Sequence, residues 1–237
     1  MSAQSDVSTA STTAQPSSKT NRIAGFYGST VGKKVVMAVT GIVGIGYVFF
    51  HMLGNLQAFE GAEKLNAYGA ALHYSPMFLW TARSVLIAAV VLHVIAAYQL
   101  AVISYESRPV GYTKWRAVSS DFASRTMRWT GPVLLLFIVY HLLHFTTGTL
   151  HPDFVEGAVF NNVVTAFQVW WISAIYIVAM LILGFHLYHG VWSVFQSLGA
   201  SRPAYNTRLR AFATILTIVI VLGFISIPVA VLAGIIE

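Results

Sequence analysis

The chain contains no cysteine. No disulfide can staple it, and it offers no thiolate to zinc or to an iron–sulfur cluster. Charge is scarce as well. Only 9% of its 237 residues are Asp, Glu, Lys or Arg, against about a quarter in average soluble chains. The N-terminal stretch lacks the apolar run of a signal peptide. The short alternating segments of transmembrane strands are missing too.

What the sequence does hold is hydrophobic residues, 57% of the total. They fall into uncharged runs from Val35 to Phe59, Ser84 to Tyr105, Trp129 to Pro152, Gly157 to Ser201 and Ala211 to Ile236. Each reaches the ~20 residues that cross a ~30 Å hydrocarbon core. Lipid gives backbone groups no partners, so each crossing must be a helix. The expected fold is all-α, an integral membrane bundle of five transmembrane helices over residues 25–237. Their bounds are about Lys33 to Phe59, Met77 to Ser104, Arg128 to Leu150, Thr165 to Leu198 and Leu209 to Ile236. Pro228 falls in the fifth and is a candidate kink. Asn161 and Asn162 read as a polar loop before the fourth. Residues 1–24, rich in Ser, Thr and Ala as far as residue 20, read as a disordered cytoplasmic tail. The segment Tyr105 to Met127 reads as an interfacial helix or a docking surface.

The formal net charge is +6, but its distribution argues against nucleic acid. Lys19, Arg22, Lys33 and Lys34 precede the first span. Arg108, Lys114, Arg116, Arg125 and Arg128 lie between the second and third, and Arg202, Arg208 and Arg210 between the fourth and fifth. The opposite loops hold Glu60, Glu63, Lys64, Asp153 and Glu156. The positive-inside rule then expects a multi-pass protein of the cytoplasmic membrane, N-terminus inside and C-terminus outside. The basic loops are also candidates to contact anionic membrane lipid.

Four histidines, His51, His93, His141 and His186, lie in the first four spans. A titratable ring in hydrocarbon is costly and normally faces the bundle interior. At 1.5 Å per residue, His51 lies about 25 Å beyond Lys34, and His141 about 20 Å beyond Arg128. His93 lies about 20 Å past Trp80, and His186 about 22 Å past Trp171. Allowing for the direction of each span, His51 pairs with His141 in the outer half, and His93 with His186 in the inner half. Zinc gathers its ligands at one point, whereas these four divide between two depths. Imidazole pairs suit the axial positions of haem iron, so the expected cofactors are two haems b. With both axial positions filled, electron transfer is favoured over oxygen chemistry.

His144 and His189, each three residues from a proposed ligand, are alternative ligands or partners for propionates. His151 reads as a solvent-facing loop residue. Arg83 is the candidate propionate partner at the outer site, with Arg125 and Arg128 at the inner one. Gly41, Gly44, Gly46, Gly54, Gly184 and Gly190 give either room for a flat macrocycle or close helix packing.

These features resemble the single-polypeptide, five-helix, di-haem cytochrome b subunit of succinate:quinone oxidoreductases and fumarate reductases. The resemblance is carried by the four histidines, the histidine-free fifth span, and Gly61-Ala62-Glu63 followed by Asn66. His73 ahead of a proline and His186-x-x-x-Gly190-x-Trp192-Ser193 add to it. It implies the same histidine pairing, with flavoprotein and iron–sulfur subunits docked on the cytoplasmic face as partners. Electrons would enter through the inner haem and reduce a membrane quinone, menaquinone in much of this class. The chain would be catalytic only within that complex. Some relatives carry a glutamate two residues before the fourth ligand; Gly184 stands here, so that acid's proton route is not carried over. His73, Tyr74, Glu63 and Lys64 are the candidate quinone residues near the outer end. Competing readings are the cytochrome b anchor of a hydrogenase or formate dehydrogenase, and a haem-free transporter relaying protons through histidines.

Overall fold

The computed structural model describes residues 19–107 and 122–237. Residues 1–18 of the expected tail, and Arg108, Lys114 and Arg116 of the expected docking segment, lie outside the described residues. Among the described residues the order is α1 (Lys19–Gly28), α2 (Thr30–Asn55), a 3₁₀ turn (Leu56–Glu60), α3 (Ala62–His73), α4 (Pro76–Glu106) and α5 (Phe122–His141). A π-helical turn (Leu142–Thr146), α6 (Val159–Gln168), α7 (Trp170–Ser197) and α8 (Asn206–Leu232) follow. Five stretches are long and apolar enough to cross a membrane: Thr30–Glu60, Pro76–Glu106, Phe122–Thr146, Trp170–Ser197 and Asn206–Leu232. The protein is thus a multi-pass membrane protein. Phe50, Ile87 and Leu136 turn outward, each more than 60% exposed, as lipid-facing side chains do.

Local chemistry sets the helix ends. Ser29 caps α2 by accepting a hydrogen bond from the Gly32 amide at 3.0 Å, and its hydroxyl donates to the Phe26 carbonyl at 2.7 Å. Lys33 is buried. Its ammonium donates to the carbonyls of Tyr27 at 3.0 Å and Gly28 at 2.9 Å, so a cation meets the negative end of α1. The Tyr27 hydroxyl donates to Gln99 at 3.1 Å and ties α1 to α4. Helix α1 therefore folds onto the bundle, and it begins inside the stretch read as tail.

Helices α2, α7 and α8 pack on one another. Helix α4 lies along α2, and α5 lies along α7. Neither α2 with α5 nor α4 with α7 forms an extensive contact among the described residues. At one end of the bundle α3 packs on α6, over a core that includes Leu65, Val163, Phe167, Ile172, Tyr176 and Ile227. At the other end Val191, Trp192 and Ala213 form a second core, with the Arg210 guanidinium 4.4 Å over the Trp192 ring.

Three expectations are corrected. The fourth span begins at Trp170 rather than Thr165: Val169 is extended (φ −81°, ψ 105°) and separates α6 from α7. The Ser173 hydroxyl meets the freed Phe167 carbonyl at 2.6 Å, so the break needs no proline. Asn161 and Asn162 are helical in α6 rather than in a loop. The Asn162 amide clamps Val155, donating to its carbonyl at 2.8 Å and accepting from its N–H at 3.0 Å. That clamp folds the preceding loop inward and buries His151, which is only 5% exposed. Its Nε2 lies 2.9 Å from the Asn162 carbonyl, so it is not the solvent-facing residue expected. The third span ends in the π-helical turn, where the Thr147 N–H reaches the Leu142 carbonyl at 2.9 Å. Helix α8 continues through Pro228.

Candidate cofactor site

His51 on α2 and His141 on α5 bring their ring centroids to 5.9 Å, nearly perpendicular at 78°. His93 on α4 and His186 on α7 meet at 6.3 Å, tilted by 58°. Each pair spans two helices that do not otherwise pack closely, so the imidazoles approach across a gap in the bundle.

Two independent rulers give the separation of the pairs. His93 Nδ1 reaches the Met37 carbonyl at 3.1 Å, and its ring lies 3.5 Å from where a Cβ on Gly41 would stand. His51 is ten residues beyond Gly41 on α2, about 15 Å along the axis. On α5, Thr130 Oγ1 lies 3.4 Å from His186 Nδ1. His141 is eleven residues further, about 16 Å. The two estimates agree within one residue's rise.

Hydrogen bonding selects the nitrogens. A carbonyl can only accept, so His93 carries its proton on Nδ1 and keeps a bare lone pair on Nε2. The Thr40 hydroxyl, 3.2 Å from the same Nδ1, donates to the Val36 carbonyl at 2.7 Å and so also accepts. Thr130 and Tyr176 stand beside Nδ1 of His186 and His141, each at 3.4 Å. Such partners orient a metal-binding imidazole and raise its basicity. Asn55 Nδ2, which donates to the His51 carbonyl at 2.8 Å, lies 3.4 Å from both ring nitrogens and selects neither. Tyr47 stacks on His51 at 5.4 Å and 11°.

This donor set fits haem. Imidazoles on opposite sides of one ion, with bonds of about 2 Å, hold their centroids roughly 6 Å apart. Among the described residues no group of three or more His, Cys, Asp or Glu is placed to hold a metal ion, so a paired site needs its remaining ligands from elsewhere. A porphyrin would supply them. A Cβ on Gly44, Gly46 or Gly190 would meet no heavy atom within 4 Å, so these glycines are not helix-packing contacts. Gly54 and Gly184 are, facing Tyr68 at 2.6 Å and Val221 at 3.1 Å.

Residues 108–225, about half of the chain, match the model of the family described as Succinate dehydrogenase/Fumarate reductase transmembrane subunit. The chain belongs to that family. No curated protein and no solved structure matches it. The matched stretch holds one member of each pair, His141 and His186, while His51 and His93 lie outside it.

Other residues of this transmembrane subunit are placed as follows. His144 is fully buried, with Nδ1 3.0 Å from the Tyr176 hydroxyl, and the ring opposite His51 is that of His141. Likewise His93 faces His186, with His189 three residues on. Arg83, half-buried on α4, lies 5.3 Å from the Trp80 ring and interacts electrostatically with Tyr47. It makes no ion pair among the described residues. Of the candidate quinone residues, Glu63 and Lys64 are exposed on the first turn of α3, beside a shallow depression of about 240 Å³. His73 is ten residues on, roughly 15 Å along the same helix. Its Nδ1 turns back to the Gly69 carbonyl at 2.8 Å. Tyr74 is 91% exposed. These four are spread along α3 rather than gathered. The sequence reading passed over Tyr176, Thr130, Thr40 and Tyr47. Of these only Tyr47, four residues before His51 on the same helix face, carried a local signal.

Proposed function

We propose that this subunit is the haem-bearing anchor of a succinate dehydrogenase, passing electrons through two haems b to membrane quinone. Family membership implies association with flavoprotein and iron–sulfur subunits. The observation that carries the reading is the two imidazole pairs, about 15 Å apart in depth and set between helices that share no extensive contact among the described residues. The family match favours this reading over an anchor for a hydrogenase or formate dehydrogenase.

Bound haem iron would supply one-electron transfer at each site. The chain's own residues hold and tune it. His51 with His141 would hold one haem, and His93 with His186 the other. The Met37 carbonyl and the Thr40 and Thr130 hydroxyls fix the orientation of the rings at one level. Tyr176 does so at the other. The outward apolar faces of α4 and α5 keep water from the interior. Arg83, which makes no ion pair among the described residues, suits a propionate.

Lys33 and Lys34 in the first turns of α2, Arg202 just before α8 and Arg208 and Arg210 in its first turns favour a cytoplasmic position for the His93/His186 end. The partner subunits would dock there and deliver electrons first to that pair. Quinone, menaquinone by resemblance, would be reduced within the membrane domain, and Glu63, Lys64, His73 and Tyr74 remain the proposed residues at the far end.

The test is purification of the intact complex followed by addition of succinate under anaerobic conditions. The reading expects copurifying flavin and reduction of low-spin haem bands. A complex without those bands, or one holding nickel or molybdenum instead of flavin, would overturn it.

A further inference from the structure

A run of buried polar groups leads away from His141. The Tyr176 hydroxyl stands 3.4 Å from His141 Nδ1 and 3.0 Å from His144 Nδ1. The His144 ring stacks on His151, with centroids 5.0 Å apart and planes 22° from parallel. His151 Nε2 then reaches the Asn162 carbonyl at 2.9 Å. Tyr176, His144, His151 and Asn162 are all buried, although they come from α7, the π-helical turn, the following loop and α6. Two ring nitrogens in this run, His144 Nε2 and His151 Nδ1, are buried without a hydrogen-bond partner among the described residues. Leaving such a group unmet is costly.

The proton positions can be worked out from both ends. The Asn162 carbonyl only accepts, so His151 holds its proton on Nε2, and its Nδ1 is a bare acceptor. At the other end, ligation of iron through His141 Nε2 puts that ring's proton on Nδ1. The Tyr176 oxygen accepts it, and the Tyr176 hydroxyl donates to His144 Nδ1. His144 then carries its own proton on Nε2, as a donor. The two unmet nitrogens are therefore one donor and one acceptor, on rings stacked against each other.

We propose that Tyr176 and His144, with His151 stacked on the latter, form a one-way hydrogen-bonded run that fixes the Nδ1–H tautomer of His141. Tyr176 and His144 are thus positioning residues for the ligand. The inference rests on the haem reading above and deepens it at one of the two sites. An acceptor on Nδ1–H makes an imidazole a stronger electron donor to its metal and lowers the potential of the couple.

Redox titration of the two haems in the intact complex tests this, comparing the parent with Tyr176→Phe and His144→Phe. Tyr176→Phe should raise the potential of the His51/His141 haem and leave the other unchanged. His144→Phe should produce a smaller rise at the same haem. Two retained haems with neither potential moved would overturn the run. Absence of haem from the parent complex would instead overturn the reading on which the run depends. Should neither variant assemble, a density map of the parent complex decides. A Tyr176 hydroxyl within hydrogen-bond reach of both His141 Nδ1 and His144 Nδ1 supports the proposal, and a hydroxyl turned away from either ring contradicts it.

Discussion

The His93 and His186 rings face each other at 6.3 Å from helices α4 and α7, which share no extensive packing. Side chains that meet where backbones do not are unusual in a bundle held by close helix contact. The same holds for His51 and His141 at 5.9 Å. The proposed haems, each gripped from both sides, would account for both arrangements.

The pairing makes a direct prediction. His51→Ala and His141→Ala should each remove the same haem, one equivalent per chain, and His93→Ala and His186→Ala should each remove the other. Resolved reduced-minus-oxidised spectra of the purified variants report it. Loss of the same spectral component from His51→Ala and His93→Ala alone would contradict the pairing.

The oxygens beside Nδ1 should differ in weight. Thr130 is the oxygen partner of His186 Nδ1, whereas His93 Nδ1 also has the Met37 carbonyl. Thr130→Val should therefore raise the potential of the shared haem more than Thr40→Val does. Potentiometric titration gives the ranking, and a larger shift from Thr40→Val would be the wrong result.

Gly44 and Gly184 should fail in different ways. A side chain at Gly44 meets no protein atom within 4 Å of its Cβ, so Gly44→Leu should keep the fold. It should even gain about 0.5–1 kcal/mol of helix preference, yet lower the haem content. Gly184→Leu meets Val221 at 3.1 Å and should lose about 1–3 kcal/mol of stability through overpacking. Haem-to-protein ratio and thermal melting separate the two, and a Gly44→Leu protein with a full haem complement would refute this assignment of its face.

Lys33 tests the docking of α1. Lys33→Met removes the donor to two carbonyls, with an expected cost of about 2 kcal/mol. Hydrogen exchange should show loss of protection at the end of α1 while α7 stays protected. Unchanged protection in α1 would mean the ammonium does not hold that helix.

The spans and the depth of their histidines were legible because a membrane leaves few choices for a long uncharged run, and because helical rise converts spacing into depth. The break at Val169 was not legible. No glycine or proline marks it, and the Ser173 hydroxyl that satisfies it is already inside the next helix. Burial of His151 depends on the Asn162 carbonyl, set by a clamp around Val155 rather than by composition. Met37, Thr130 and Tyr176 meet ligand rings 56, 56 and 35 residues away, and no local pattern announces such contacts. Helix α3 was read as a loop because its charged first turn resembles one.

Counting haem in the purified complex tests the central claim most directly. A pyridine haemochrome assay against the amount of this subunit should give two haems b per chain, falling to one in His93→Ala. A value of zero or one in the parent complex would contradict two paired sites.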